Sequence, residues 1–475
     1  VPLSDVNDTG PQKASRNLNH RQWGRLGRSV LNGVLGDYLE KQNNPLAIKM
    51  SFQHNFKTLS LDENLAHQVD FPLTNKVVVL VHGLTNLETI WDFDRPALEN
   101  VAGNAEPSRQ NLDEYVDKYI DSYFDLEGGR TRENYGSKLQ DDFGLTPFYV
   151  RYNTGLTLEK NARELSALIS KLFAVYPIEI DQLVLVGFSM GGLLARYAQT
   201  MATQSEKVPE WRKKLSECFY IGTPHEGAPL EKFGHLAGEV LRHIPKAYVS
   251  QWADWVDSRS EGIQDLKDGL RFLNKATEAE TSVCGSFTEH AGHYFISGAI
   301  AKKNGVINKL VGDSLVRQKS ANPRSAPLNC KNAHFEGVAH MHLANSKRVY
   351  KQIKHWLQED ALRTSSLADT PVKAYMMIKK PYAEINTQDI STQELIAGSI
   401  DLLASAYEKT LETVESMHYA IADEPFSVLQ KVPLVSQLAE PIEATHKQVL
   451  DSIYKGLRSG GKWVHSRAKT ISKDE

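Results

Sequence analysis

Apolar positions along this chain fall into short unbroken runs, separated by stretches in which they recur every three or four residues. The run Leu183–Val186, continued by Gly187 and Phe188, predicts a short buried strand. Behind it, Leu193, Leu194, Tyr197 and Met201 fall at helical spacing. Lys76–Val81 reads as a second buried strand, Thr146–Tyr152 as a third, and Cys218–Ile221 and His293–Ser297 as two more. Leu165, Leu168, Ile169 and Leu172 mark one face of a helix over Leu156–Tyr176, and Leu26, Val30, Val34 and Leu35 one over Trp23–Leu39. Strand and helix alternate, which predicts an α/β fold whose central sheet is mostly parallel and carries helices on both faces.

The pattern also marks where the chain departs from that core. Residues 1–20 lack periodicity and read as a flexible tail. The stretch from about Arg95 to Gly144 is polar, with one helix expected around 111–124, and reads as a surface excursion. Residues 229–290 are far longer than an ordinary connection and carry helix-spaced Leu236, Val240, Leu241, Ile244, Tyr248, Trp252 and Val256. They read either as a cap or lid over the carboxyl ends of the strands or as a further packed helical layer. Leu310–Val316 and the helix ending at Trp356-Leu357 close a first unit over 21–360. Beyond it, Ile396, Ile400, Leu403, Tyr407, Leu411 and Val414, then Ile442, Val449, Ile453 and Leu457, predict a helical extension over 361–475. Its apolar stripe needs a partner: the unit before it, another protein or, less well matched by its mixed charges, a lipid surface.

Composition narrows the class without naming it. Hydrophobic residues make up 41% and charged residues 24%, with a net charge of −3, as in ordinary globular proteins. There is no dense basic stripe to favour nucleic acid, and no apolar run long enough for a transmembrane segment. Three cysteines, Cys218, Cys284 and Cys330, are too few and scattered for a disulfide framework or a zinc site. A Cys284–Cys330 bridge stays open. The sequence starts at Val1, which leaves a removed leader open; reduced thiols and a cytoplasmic location are the default expectation.

The chemistry concentrates where a strand runs into Gly187-Phe188-Ser189-Met190-Gly191 and a helix follows at once. Strand, sharp turn, helix is the context of a nucleophile elbow, with Ser189 Oγ standing above the sheet at a helix N-terminus. A serine hydroxyl needs a base to take its proton and a carboxylate to orient that base. Asp313, between Gly312 and Ser314 after a strand, and His340 follow Ser189 in the order Ser, acid, His. The interval between Asp313 and His340 leaves room for one more strand and a loop. His334 and His342 are the competing bases. In an extended loop His340 and His342 would point opposite ways, leaving the second exposed or in a supporting position. The oxyanion hole needs two backbone N–H groups, expected from Met190 and from Leu84 in the loop that follows the early strand. His82 and His225 read as structural braces. No carboxylate cluster suggests a metal, and the chemistry needs no cofactor.

Val81-His82-Gly83-Leu84, Gly187–Gly192, Gly222-Thr223-Pro224-His225-Glu226-Gly227-Ala228, Gly312–Val316 and the tail from His340 to Leu357 together resemble bacterial lipase/esterase-type α/β-hydrolases. The likeness is to the group that includes GPI inositol-deacylase-like (PGAP1-like) hydrolases. The resemblance covers about 25–357. The tail pattern of that group fits His340, Leu343, Val349-Tyr350 and Trp356-Leu357, which favours His340 over His342 as base. Phe188 departs from it, since these enzymes often have His or Tyr there. The resemblance implies an α/β-hydrolase fold with a mostly parallel central sheet; the helical cap or lid insertion and the C-terminal helical extension are expected from the chain's own apolar spacing. It implies hydrolysis of a small-molecule carboxylic ester, and the apolar cap suggests an apolar acyl group. Acyl transfer, thioester or amide hydrolysis by the same triad, or an idle scaffold, are the rival readings.

Overall fold

The structure, a computed structural model, describes residues 20–93, 133–204, 207–227, 260–268, 287–299, 330–338, 340–363 and 374–375, with isolated positions between 398 and 459. The strands are β1 (Ser51–His54), β2 (Lys57–Thr58), β3 (Leu73–Thr74), β4 (Lys76–Val81), β5 (Thr146–Arg151), β6 (Gln182–Phe188), β7 (Leu215–Ile221), β8 (Gly292–Ala299), β9 (Cys330–Glu336) and β10 (Ala374–Tyr375). The helices are α1 (His20–Lys41), α2 (Tyr135–Phe143), α3 (Leu158–Val175), α4 (Met190–Gln204), α5 (Glu210–Lys213), α6 (Glu261–Asp268) and α7 (Lys347–Arg363).

Eight strands form one sheet in the order β2-β1-β5-β4-β6-β7-β8-β9. From β5 to β9 neighbouring strands are parallel. The β1–β2 hairpin adds to the β5 edge antiparallel. Unbroken apolar runs suit the central strands because both faces are buried. Val77, Val79 and Val81 of β4 point into one core with Leu183 and Leu185 of β6, whereas Val78 and Leu80 point into the other with Val184 and Val186. The first core is roofed by α3 and α4, through Leu165, Ile169, Leu172, Leu193 and Leu194. The second is roofed by α2 and α7, through Leu139, Val349, Ile353 and Trp356. Each such fully buried aliphatic side chain contributes about 1.5–3 kcal/mol relative to an exposed one.

The expected strands at 76–81, 146–152, 183–188, 218–221 and 293–297 and the helices around them are all present, several a few residues longer. Elsewhere the structure corrects the reading of the sequence. The end of the supposed surface excursion is α2, whose Tyr135 and Leu139 are fully buried. Asn134 and Ser137 cap its start reciprocally, and Gly144 ends it at φ 68°. The helix expected around 111–124 lies outside the described residues. So do the apolar positions 236–256 of the long insertion. Its described part, α6, is anchored rather than loose. Ser260 Oγ donates to Gly33 O (2.7 Å), Gly262 N to Gly155 O (3.0 Å), and Asp265 accepts from Leu158 N (2.7 Å) at the start of α3. This part is a packed layer. Past residue 360 the chain still returns to the core: β10 pairs with β3, and Asn44 Nδ2 donates to Gly398 O (3.1 Å). Among the described residues Cys218 and Cys330 carry free thiols; Cys284, the other half of the Cys284–Cys330 bridge left open above, lies outside them.

Candidate active site

The carboxyl ends of β4, β6 and β7 meet at Ser189. Its backbone is left-handed, at φ 53°, in the turn between β6 and α4. A non-glycine residue held there costs of the order of 1–3 kcal/mol and persists only where its surroundings fix it. Here they do: Ser189 N donates to Ile221 O at the end of β7 (2.8 Å), and Gly192 N donates to Ser189 O (3.1 Å). The helix start is pressed against β4. A Cβ added to Gly191 would lie 2.2 Å from Val81 O and 2.4 Å from His82 O. Ser189 is 3% exposed.

The loop after β4 lies against this turn: a Cβ on Gly83 would be 3.0 Å from Ser189 Cβ and 3.2 Å from Phe188 Cδ1. His82 braces the loop, as expected. Its ring stacks on Tyr152 at 4.7 Å, Nδ1–H donates to Gly83 O (2.8 Å), and Tyr152 OH donates to His82 O (2.9 Å). Burial pushes the His82 pKa down to about 4, so the ring is neutral. Thr85 is also left-handed, at φ 60°. Its N–H donates to Thr154 Oγ1 (3.2 Å), its hydroxyl to Leu84 O (2.7 Å), and Asn86 N closes the turn on Gly83 O (3.3 Å). Beyond the turn, Arg151 pairs with Glu88 through both Nε and Nη2. Among the described residues, neither the Leu84 N–H nor the Met190 N–H has an acceptor. Met190 opens α4, where the helix dipole favours negative charge.

His340 opens a 3-10 turn, His340–Ala344, just before α7. Its ring lies 5.0 Å from that of Phe188, and a Cβ on Gly222 (φ 61°) would be 2.9 Å from Cε1 and 3.0 Å from Nδ1. Gly222 follows Ile221, the acceptor of the Ser189 N–H, so one strand end supports both the serine and the histidine. No hydrogen bond joins His340 to Ser189 among the described residues. Burial pushes the His340 pKa down to about 4.

His342 differs from its expected place. The segment is a 3-10 turn and not extended chain, and both histidines are buried, at 6% and 5% exposure. In such a turn residues two apart point about 120° apart rather than opposite ways, since each step rotates by about 120°. His334 is exposed on β9, hydrogen-bonded through Nδ1 to Ser297 Oγ (2.9 Å). Asp313 lies between β8 and β9 in the chain, outside the described residues. The strand for which the interval to His340 left room is β9. Among the described residues no group of three or more His, Cys, Asp or Glu side chains could hold a metal ion.

One buried polar ladder beside the site goes beyond the reading of the sequence, which had only His225 in it, as a structural brace. Arg196 of α4 sits over the Phe287 ring at 4.0 Å and donates to His225 Nδ1 (3.2 Å), which fixes the other ring proton on His225 Nε2. Three residues on, Gln199 donates to Tyr220 OH (3.2 Å). That hydroxyl faces His293 Nδ1 (3.2 Å), while His293 Nε2–H donates to Thr288 O (3.0 Å). The signal available was Arg196 and Gln199, one turn apart on the otherwise apolar face of α4.

An open sheet in this strand order, with a strained serine at the turn from β6 into a buried helix, defines an α/β-hydrolase. Residues 149–266, from β5 through the serine turn to α6, match the family model described as PGAP1-like alpha/beta domain. Among solved structures, the chain is similar to a thermophilic esterase from Thermogutta terrifontis (13% identity, TM-score 0.32, 61% of this chain and 93% of that one). A lipase-esterase related protein from Clostridium acetobutylicum overlaps with 11% identity, TM-score 0.29 and coverage of 60% and 98%. A proline iminopeptidase from Mycobacterium smegmatis does so with 11% identity, TM-score 0.27 and coverage of 61% and 91%. No curated protein matches the sequence.

Proposed function

We propose that the chain is a serine hydrolase of carboxylic esters. The observation that carries this reading is the left-handed serine at the turn into α4, with the loop after β4 packed against it and the N–H groups of Leu84 in that loop and Met190 at the start of α4 without an acceptor among the described residues. Ser189 Oγ attacks the ester carbonyl and His340 takes its proton. The carbonyl oxygen, now negative, accepts from Leu84 N–H and Met190 N–H, each such donor being worth about 3 kcal/mol in the transition state. His340 then gives the proton to the departing alcohol. A water, deprotonated by the same histidine, releases the acid from the acyl-enzyme. Asp313, which falls between the two in the chain order of this class, is the carboxylate assigned to orient His340. No step needs a metal or an organic cofactor. The substrate class is a small-molecule ester with an apolar acyl group.

The test is Ser189→Ala together with a fluorophosphonate probe. The native chain is expected to be labelled once, at Ser189, and to hydrolyse p-nitrophenyl esters. The variant is expected to fold and do neither. Unchanged turnover by Ser189→Ala would reject the reading. Labelling without ester turnover would redirect it to acyl transfer or to thioester or amide hydrolysis, and a native chain that resists labelling would leave a scaffold.

A further inference from the structure

We infer that Ser29, with Gly33 one turn further along α1, is a positioning residue that holds the Gly83–Asn86 loop in its working shape. This rests on the proposed role of the Leu84 N–H. Ser29 is 2% exposed, and its single hydroxyl proton is shared between two consecutive loop carbonyls, Asn86 O at 2.8 Å and Thr85 O at 3.1 Å. Gly33 lies on the same face of α1, and a Cβ there would sit 2.4 Å from Thr85 Cγ2. The helix backbone therefore touches the one residue of the loop that is left-handed. A short turn with a non-glycine residue at positive φ keeps its shape only when its neighbours over-determine it. The neighbours that do so are Thr154 Oγ1, which takes the Thr85 N–H, and Ser29, which takes both carbonyls.

These bonds all hold the loop from the side of α1 and of the segment after β5. The Leu84 N–H takes part in none of them. A hydroxyl gripping Thr85 O and Asn86 O thus sets the peptide planes on the far side of Leu84 without occupying its donor. Catalysis by such a donor depends on its being fixed before charge develops, so a loop that relaxes loses rate before it loses substrate binding. α1 lies outside the segment that matches the PGAP1-like domain, yet it supplies this support.

The experiment uses the full chain and compares Ser29→Ala and Ser29→Cys with the native protein. The readouts are kcat, KM and the affinity of a trifluoromethyl ketone, which adds the serine and forms an oxyanion. Loss of a whole oxyanion donor lowers kcat by about 10²–10³-fold. Loosening one is expected to lower kcat roughly tenfold in Ser29→Ala, with KM unchanged within twofold and the ketone weakened by the same factor as kcat/KM. Ser29→Cys, which keeps the packing and weakens the donor, is expected to show the same split at smaller size, and it carries the test should the alanine variant not fold. Unchanged kcat in both variants, or a loss confined to KM with the ketone still bound tightly, would overturn the inference. Ser189→Ala run in parallel separates the two ideas. If it is inactive while both Ser29 variants are normal, only this inference fails; if it is active, the serine reading fails.

Discussion

Acid should unfold this protein through its buried histidines. His82, His293 and His340 are each held at a pKa of about 4 against an ordinary value of 6.5, chiefly by burial, and His225 well below 6.5 for the same reason with Arg196 adding to it. Above pH 6.5 these rings are neutral in both the folded and the unfolded chain, so their contribution is fully present. Below it the unfolded chain takes up protons that the folded one refuses, and each ring costs about 1.4 kcal/mol per pH unit until the folded state accepts the proton near pH 4. The three with stated values together give about 4 kcal/mol per unit, or roughly 10 kcal/mol across the window, comparable to the 5–15 kcal/mol of a typical fold. Glu164 and Glu217, whose pKa values burial raises, act in the opposite sense and offset part of this. Urea unfolding followed by tryptophan fluorescence and near-UV circular dichroism at pH 8, 7, 6 and 5.5 measures the slope. Stability should be level above pH 7 and then fall steeply, and His293→Gln should remove about one proton from the slope. A stability that stays level from pH 7 to pH 5.5 would refute the reasoning.

Three further substitutions test the geometry. Gly191→Ala drives a methyl into two fixed backbone carbonyls of the β4 end, so it should lower Tm markedly and abolish fluorophosphonate labelling; near-native stability would mean that α4 can retreat from β4. His340→Ala should lower kcat by several orders of magnitude with the fold intact. His342→Ala should keep labelling and cost stability instead, since its ring is buried too; the reverse pattern would move the base to His342.

The central strands were legible because burial on both faces leaves an unbroken apolar run, as in Val77–Val81 and Leu183–Val186. The edges were not. In β9 the sequence Cys-Lys-Asn-Ala-His-Phe-Glu alternates exposed and partly buried positions, and its polar half hides the strand. The β1–β2 hairpin turns through Asn55 and Phe56, both at positive φ, and Phe is not a residue that announces such a turn. α2 was hidden by its polar composition, although Asn134 three residues before Ser137 and Gly144 at the far end form a readable pair of caps. Around the proposed site, motif spacing was enough to locate the strand-to-helix turn at Ser189 and the loop after β4. The contacts of α1 with the Leu84 loop were beyond it, because Ser29 and Gly33 look like ordinary helix positions until the fold brings residues 85 and 86 beneath them.

That seat of α1 also orders events in time. It is the first described helix to be synthesised, yet its hydrogen-bond partners lie far downstream: Ser29 to Asn86 spans 57 residues, Asn153 to Gly36 spans 117, and Ser260 to Gly33 spans 227. Asn44, just past its end, waits for Gly398 across 354. Closing such long loops is slow relative to forming neighbouring strand–helix units, and segments that await distant partners are the ones exposed to misassembly. The loop beside Ser189 can be gripped by Ser29 as soon as residue 86 has emerged, before the serine turn itself is made. A ribosome-bound chain halted before residue 260 still lacks the Ser260 bond to Gly33 that completes the seat of α1.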